Sequence, residues 1–159
     1  QSFASSHREG RHCSAMKDCP FCENNNDGVI ITRLDRYPVS PGHTLVMPAR
    51  HVSSIHDLTV HEQNMLIQAL KDAKERLQRE YNCDGFNIGV NLGEAAGQTI
   101  EHIHFHVIPR YEGDVPNPRG GVRWVIPEKA DYVREAMQKA YDKLQEENRN
   151  APPRTIPFP

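Results

Sequence analysis

Three histidines alternate with apolar residues in the segment Glu101-His102-Ile103-His104-Phe105-His106-Val107. Side chains alternate across a β-strand, so this pattern places His102, His104 and His106 on one face. A single histidine is usually structural, but three adjacent imidazoles would each need buried hydrogen-bond partners. Two chemistries suit such a face. The imidazoles could bind a metal ion, or a neutral imidazole could attack phosphorus while its neighbours donate N–H groups to phosphate oxygens.

The loop that precedes the histidines favours the second chemistry. Its glycine- and alanine-rich run over 93–97 would let backbone amides approach an anion closely, and Gln98 and Thr99 add side-chain donors. The loop lacks the Gly-Lys-Ser/Thr of a P-loop, and taken alone it is equally consistent with an ordinary tight turn. Joined directly to the histidine segment, it predicts a phosphate-binding loop.

Cys19 and Cys22 have the Cys-x-x-Cys spacing of half a zinc site, for which His51 and His102 are candidates to complete the ligand set. The alternative is a pair of free thiols near the surface, and Cys13 is a less favoured rival ligand. Four cysteines in 159 residues are too few for a disulfide-stapled secreted domain. A reducing, cytoplasmic compartment is therefore expected.

The elements that must position these residues begin with four runs of β-branched or alternating apolar residues. These predicted strands are Val29 to Thr32, His43 to Met47, Phe86 to Val90, and Thr99 to Ile108. Pro109 is expected to end the last strand because proline cannot donate to a sheet ladder. Strands joined by short turns, with one long helix inserted, predict an α+β fold with a mainly antiparallel sheet.

The long helix is predicted to follow Thr59, which forms a capping box with Glu62. Its apolar side recurs at helical spacing through Leu66, Leu70, Ala73, Leu77 and Tyr81. A second helix is predicted from about Glu128 to Glu147. Residues 1–18 and the proline-rich residues 148–159 lack periodicity, so we expect a flexible arm and a tail on one domain over 19–147.

Composition excludes two classes of partner. Nineteen basic and twenty-one acidic residues give a formal charge of −2, which argues against a nucleic-acid binder that relies on a strongly basic face. No apolar run approaches the ~18 residues that a membrane span requires. The sequence therefore predicts neither nucleic acid nor membrane as a partner.

Together these motifs resemble the histidine triad (HIT) superfamily of nucleotide hydrolases and transferases, from about Cys19 to Arg110. The resemblance is carried by Pro41-Gly42-His43-Thr44-Leu45-Val46-Met47-Pro48, His51, Gly97-Gln98-Thr99, and the alternating histidines followed by Val107-Ile108-Pro109-Arg110. It implies a mainly antiparallel five-stranded sheet with one long helix packed on it and a C-terminal helix. It also implies a homodimer that acts on a nucleotide.

The resemblance implies a role for each matched residue. His104 would be the nucleophile that takes a nucleoside monophosphate as a covalent phosphoramidate, which water then hydrolyses. His106 would contact the phosphate and assist proton transfer to the leaving group, and His43 would support the nucleophile or the leaving group. Asp35 matches a position that holds ribose hydroxyls. Positions near the phosphates or the leaving group are matched by Asn91, Gly97, Gln98 and Thr99.

Some members of the family hold a structural zinc ion, and the matching positions here are Cys19, Cys22, His51 and His102. Four protein ligands would close the coordination sphere, so such a metal would be structural rather than catalytic. The implied scheme needs no catalytic metal and no redox cofactor.

Dinucleoside polyphosphates are the first expected substrates, because the extended segment after the triad leaves room for a long leaving group. An adenosine phosphoramidate hydrolase and a dinucleoside polyphosphate phosphorylase are close alternatives. Two other classes remain: a metal-dependent hydrolase with its ion on His102, His104 and His106, and a non-catalytic nucleotide-binding module. Arg123 could neutralise a distal phosphate, and Trp124 could stack on a base or cover the site; the alternative is a loop that packs Trp124 into the sheet edge.

Overall fold

The computed structural model of this chain describes residues 19–22 and 28–150. The arm predicted over 1–18, with Cys13, and the tail residues 151–159 lie outside the described residues. The chain divides into two compact units between Asp114 and Val115, and the single domain expected over 19–147 stays a prediction. No helix within the described residues is long and apolar enough to cross a membrane.

Four antiparallel strands form one sheet in the first unit, in the order β1-β2-β4-β3. They are β1 (Ile30–Leu34), β2 (Thr44–Pro48), β3 (Gly85–Val90) and β4 (Phe105–Arg110). The α+β class and the antiparallel sheet are confirmed. Five strands were expected, but the sheet has four among the described residues. Each extended run of the sequence supplies one strand and no more. Every residue of β2 is buried, as expected for an inner strand.

The strand predicted over Thr99–Ile108 begins later and ends later than the sequence indicated. Before Phe105 the chain lies outside the ladder, because the Ile103 N–H donates to the Val52 carbonyl at 2.7 Å instead of to a strand. Pro109 does not end β4. Val107 is the last β4 residue that pairs with β2, so Pro109 lies beyond that pairing. The Pro109 carbonyl accepts a hydrogen bond from Ser40 Oγ at 2.7 Å. On this side of β4 there is no ladder hydrogen bond for residue 109 to donate, so proline is tolerated there.

Helix α1 (Val60–Tyr81) starts at the predicted capping box, in which Thr59 Oγ1 accepts from the Glu62 N–H and Glu62 Oε2 accepts from the Thr59 N–H. The predicted apolar side is confirmed, because Leu66, Ala73 and Leu77 are buried in the main core cluster. That cluster also contains Val46, Ile103 and Val107 from the segments that carry the histidines. The helix thus packs on the side of the sheet opposite the imidazoles.

Glu62 also binds Arg50, in the segment between β2 and α1, and substitution of Glu62 tests how much this ion pair stabilises the fold. Arg50 donates to both Glu62 oxygens at 3.0 and 2.8 Å, and this hydrogen bonding lowers the pKa of Glu62 to about 2. We expect Glu62→Gln to lower the free energy of unfolding by about 1–2 kcal/mol at pH 7. The depressed pKa means that this contribution is complete above the ordinary value of 4.5 and is lost as the pH falls towards 2.

Urea unfolding at several pH values measures this difference, with Glu75→Gln on the exposed side of α1 as the matched control. An equal difference at pH 7 and at pH 2.5 would contradict the assignment.

Among its described residues the second unit has two α-helices, α2 (Pro127–Ala130) and α3 (Tyr132–Asn150), where the sequence predicted one from about Glu128 to Glu147. Asp131 separates them with φ −86° and ψ 77°, and its Oδ1 accepts from the Arg134 N–H at 3.2 Å. An aspartate side chain that bonds a backbone N–H in this way favours a helix start over a helix interior. Helix α3 continues to Asn150, so the tail predicted from 148 begins inside the helix.

Candidate active site and metal site

The Cys19–Cys22 turn meets His51 and His102, and one ligand atom from each of these four residues lies within 4.8 Å of the others. Cys22 Sγ is 3.2 Å from His51 Nδ1 and 3.5 Å from His102 Nδ1, and Cys19 Sγ is 3.6 Å from His102 Nδ1. A tetrahedral Zn²⁺ with Zn–S near 2.3 Å and Zn–N near 2.0 Å separates sulfur from nitrogen by about 3.5 Å. The four residues therefore fit a zinc ion.

A backbone carbonyl orients His102 towards the cysteines. His102 Nε2 lies 2.8 Å from the Pro48 carbonyl, which can only accept, so Nε2 carries the ring proton. The lone pair is then on Nδ1, the atom that faces both sulfurs, and a carbonyl in this second shell is typical of metal-bound histidine. His102 is completely buried, and that burial lowers its pKa and favours the neutral, ligating form.

Metal binding at this site would release protons. Burial, followed by the neighbouring Cys19, raises the pKa of the Cys22 thiol to about 11. Zinc binds the thiolate, so its affinity for this site would rise with pH.

His104 is held in one tautomer by the backbone of His102. Its Nδ1 donates to the His102 carbonyl at 2.8 Å, which leaves the lone pair on Nε2. The ring is 8% exposed and packs edge-on against the rings of Phe21 and His106, with centroids 4.9 and 5.1 Å away. In its neutral form this tautomer carries its lone pair on Nε2, the arrangement that nucleophilic attack requires.

A relay of hydrogen bonds fixes His43 and His106 as well. The Val39 N–H donates to His43 Nδ1 at 3.2 Å, so a neutral His43 carries its proton on Nε2. His43 Nε2 lies 3.0 Å from His106 Nδ1 and donates to it, which leaves the proton of His106 on Nε2. The relay therefore ends on an N–H donor in the ring next to His104.

Asp35 lies beside this relay. Its Oδ2 is 3.5 Å from His43 Nε2 and 3.9 Å from His106 Nδ1, while its Oδ1 accepts from the Tyr37 N–H. The resemblance gave Asp35 a role with ribose hydroxyls, and that role stays a prediction. In the structure its carboxylate contacts the two histidines.

Burial keeps both relay histidines neutral. It lowers the pKa of His43, against the opposing effect of Asp35. It also lowers the pKa of His106, helped by the charges that His104 and His43 would carry when protonated. At pH 7 the relay therefore consists of neutral rings.

These lowered pKa values predict acid sensitivity of the fold. The unfolded chain binds protons at its histidines near pH 6.5, before the folded His43 and His106 do, so stability falls as the pH drops below 6.5 towards the lowered values. The variant His43→Gln/His106→Gln should show a shallower fall. Urea unfolding between pH 7.5 and 5.0 measures it, and parallel curves for parent and variant would contradict the assignment.

Asp35, His43 and His106 also present three donor atoms within 4.8 Å of one another. The tautomer argues against a metal here, because the Val39 N–H occupies His43 Nδ1 and leaves a proton on Nε2, the atom that would face the ion. The rival site on His102, His104 and His106 fits no better. The lone pair of His102 faces the cysteines, and Nδ1 of His104 faces a carbonyl.

Three of the remaining predicted nucleotide-binding residues line one cavity. Gly97, Gln98 and Thr99 line a cavity of about 610 Å³ together with Ser53 and Ser54. Asn91 is half-buried just before the loop.

Gln98 also stabilises this loop through hydrogen bonds to backbone atoms. Its Oε1 accepts from the Gly93 N–H at 2.8 Å, and its Nε2 donates to the carbonyls of Ser53 and Ile100. Gly97 has φ +85°, a left-handed conformation that favours glycine where the short 3-10 turn Glu94–Ala96 ends. Gln98 thus shapes this loop, and the contacts predicted for Gln98 and Thr99 with phosphate or the leaving group stay predictions.

The sequence interpretation missed Phe21 and Arg33, which contact the site. Phe21 lies between the two cysteines, a position that could have drawn attention to it. Arg123 and Trp124, whose roles were left open, make local contacts in the second unit. Arg123 donates to the Lys129 carbonyl and lies over the Tyr132 ring, and Trp124 Nε1 donates to the Arg119 carbonyl.

Comparisons with known proteins place this geometry in a family. Residues 25–113 match the sequence model of the HIT domain. The AP-4-A phosphorylase of Mycobacterium tuberculosis is 37% identical over 113 residues, which cover 64% of this chain and 58% of that protein, so the chain spans less than two thirds of its length. The bis(5'-adenosyl)-triphosphatase of Dictyostelium discoideum is 35% identical over 116 residues, covering 71% of this chain and 78% of that protein.

Among solved structures, a Zn-bound histidine triad family protein from Mycobacterium smegmatis is similar, with a TM-score of 0.57 and 28% identity. The match covers 69% of this chain and 91% of that one. The domain match covers more than half of the 159 residues, and the sequence relatives agree with it. This chain belongs to the HIT family.

Proposed function

We propose that this chain is an enzyme that transfers a nucleoside monophosphate from a phosphorus-linked leaving group to water, through a covalent nucleotidyl-His104. One observation carries the proposal: His104 Nδ1 donates to the His102 carbonyl at 2.8 Å, so the neutral ring has its lone pair on Nε2, beside His106. A non-catalytic nucleotide-binding module would not need a buried imidazole fixed in its nucleophilic tautomer.

In the first step, His104 Nε2 attacks the α-phosphorus of the bound nucleotide. A P–N bond forms while the bond from phosphorus to the leaving oxygen breaks, and that oxygen keeps the electron pair. The hydrogen bond from Nδ1 to the His102 carbonyl stabilises the positive charge that develops on the ring. His106 donates its Nε2 proton in a hydrogen bond to the departing oxygen or to the phosphate, where negative charge develops.

In the second step, water attacks the same phosphorus. The P–N bond breaks, its electrons return to His104 Nε2, and the water proton is lost to the solvent. Two displacements at one phosphorus let a single pocket serve both steps. His43 and Asp35 keep His106 in the tautomer that presents Nε2–H throughout.

The names of two similar proteins favour dinucleoside polyphosphates as substrates. One is a triphosphatase of a bis-adenosyl nucleotide, and the other is an AP-4-A phosphorylase. The second similarity supports an alternative in which inorganic phosphate replaces water in the second step and the product is a nucleoside diphosphate. An adenosine phosphoramidate is the remaining substrate class.

We also propose that Cys19, Cys22, His51 and His102 hold a structural zinc ion, supported by the fit of their donor atoms and by the similarity to a Zn-bound family member. Such an ion would fix the Cys19–Cys22 turn against the segment that carries His104. The homodimer implied by the family stays a prediction that light scattering of the purified chain would check.

Product analysis tests the proposed reaction. Incubation with a dinucleoside tetraphosphate, with a chelator of divalent cations present, should yield a nucleoside monophosphate, and added phosphate should divert product to the diphosphate only if phosphorolysis operates. A parallel assay with an adenosine phosphoramidate ranks the two substrate classes. Loss of activity under the chelator in protein that still contains its structural zinc, with circular dichroism unchanged, would favour the metal-dependent hydrolase instead. Binding without turnover of either substrate would favour the non-catalytic module.

A further inference from the structure

Phe21 connects the metal-binding turn to the nucleophile. It lies between Cys19 and Cys22, is 9% exposed, and packs with Leu45 and Met47. Its ring centroid is 4.9 Å from that of His104 at an interplanar angle of 69°, and 5.9 Å from that of His102 at 77°. Both are edge-to-face contacts within the range that aromatic pairs prefer.

His104 benefits from a packing neighbour of this kind because, among the described residues, a single hydrogen bond defines its ring orientation. A half-turn about the bond to the ring would exchange Nδ1 with a carbon, break the bond to the His102 carbonyl and move the lone pair. The edge-on Phe21 ring packs against the imidazole and opposes that rotation. His106 also packs against the His104 ring, but the proposed reaction requires His106 for the phosphate.

Arg33 on β1 holds Phe21 in place. Its Nη1 donates to the Pro20 carbonyl at 3.3 Å and its Nη2 to the Phe21 carbonyl at 3.2 Å. The guanidinium carbon lies 5.8 Å from the centroid of the Phe21 ring. Arg33 pairs opposite Leu45 of β2, so the turn is tied to the sheet independently of its cysteines.

We propose that Phe21, held by Arg33, is a positioning residue for His104: its ring keeps the imidazole turned so that Nδ1 bonds the His102 carbonyl and Nε2 faces the phosphorus. This inference rests on the proposed function for its kinetic consequence only. The orientation of the His104 ring exists whether or not the chain turns over a nucleotide. A spectroscopic measurement therefore tests the positioning separately from the activity.

The test uses the full chain with its metal bound and the variant Phe21→Leu, which keeps apolar bulk and removes the ring. Long-range ¹H–¹⁵N spectra of the imidazoles should show His104 as the Nδ1–H tautomer in the parent. In the variant, the His104 signals should shift or average towards a mixture of tautomers. With a dinucleoside tetraphosphate, kcat should fall about tenfold while KM changes less than twofold, because misorientation affects attack more than binding.

Arg33→Met should shift the same His104 signals to a smaller extent, since it leaves the ring and all four metal ligands in the chain. It replaces Phe21→Leu if that variant loses its metal or fails to fold. Phe86→Leu, a core change elsewhere in the sheet, is the control for general loss of packing and should leave the His104 signals unchanged. Parental His104 signals and parental kcat in both Phe21→Leu and Arg33→Met would overturn the proposal. Altered signals in a chain that proves inactive would support the positioning and contradict the proposed function.

Discussion

Replacing His104 by alanine should abolish turnover of a dinucleoside polyphosphate, with a fall in kcat of at least roughly 1,000-fold, because no other group takes over nucleophilic attack. The matched change His106→Ala should have a smaller effect, about 100-fold, since it removes a hydrogen-bond donor to the phosphate and leaves the nucleophile. Steady-state rates measure both. His61→Ala, an exposed histidine of α1, is the control and should keep the parental rate.

Substrate binding separates loss of chemistry from loss of structure in these variants. His104→Ala should still bind a non-hydrolysable dinucleotide analogue with nearly parental affinity, because the nucleophile contributes to attack more than to binding. Turnover by His104→Ala within tenfold of the parent rate would be incompatible with His104 as the nucleophile.

Removal of the metal is expected to have the second large effect. Protein purified without added metal should contain about one zinc per chain, and Cys22→Ser should contain almost none. The thermal midpoint should then fall by at least roughly 10 °C, because the ion joins the turn at Cys19–Cys22 to His51 and His102, which are distant in sequence.

Cys83→Ser is the matched control for this change. Cys83 is a buried thiol outside the ligand set, so the variant should retain its zinc and lose less stability. The zinc content of the parent and both variants is measured by mass spectrometry, and their stability by thermal unfolding. A metal-free parent protein with an unchanged midpoint on addition of zinc would refute the four-ligand site.

The sequence predicted the elements of the fold that depend on local patterns. The capping box at Thr59 and Glu62 and the apolar side of α1 follow from helical spacing and were confirmed. The break at Asp131 was missed because an aspartate in an otherwise helical pattern is compatible with either a helix interior or a helix start. Only the hydrogen bond from the Arg134 N–H to Asp131 Oδ1 identifies the helix start. Pro109 was misjudged because its place in β4 depends on where the pairing with β2 stops.

For the site, the alternation of the triad predicted which residues share a side, but the orientation of each ring could not be predicted. His102 is oriented by the Pro48 carbonyl, and His43 by the Val39 N–H. These partners are backbone groups, which carry no sequence signal, and Pro48 is distant from His102 in the chain. The bracing role of Gln98 was hidden for the same reason, since all three of its partners are backbone atoms.

The position of the covalent bond tests the central claim most directly. The parent enzyme would be mixed with a dinucleoside tetraphosphate labelled at the α-phosphorus, quenched under alkaline conditions that preserve P–N bonds within the first turnover, digested and analysed by mass spectrometry. We expect one nucleoside monophosphate on His104, present in the parent and missing from His104→Ala. Continued turnover with the label on His106, or on no residue at all, would contradict it.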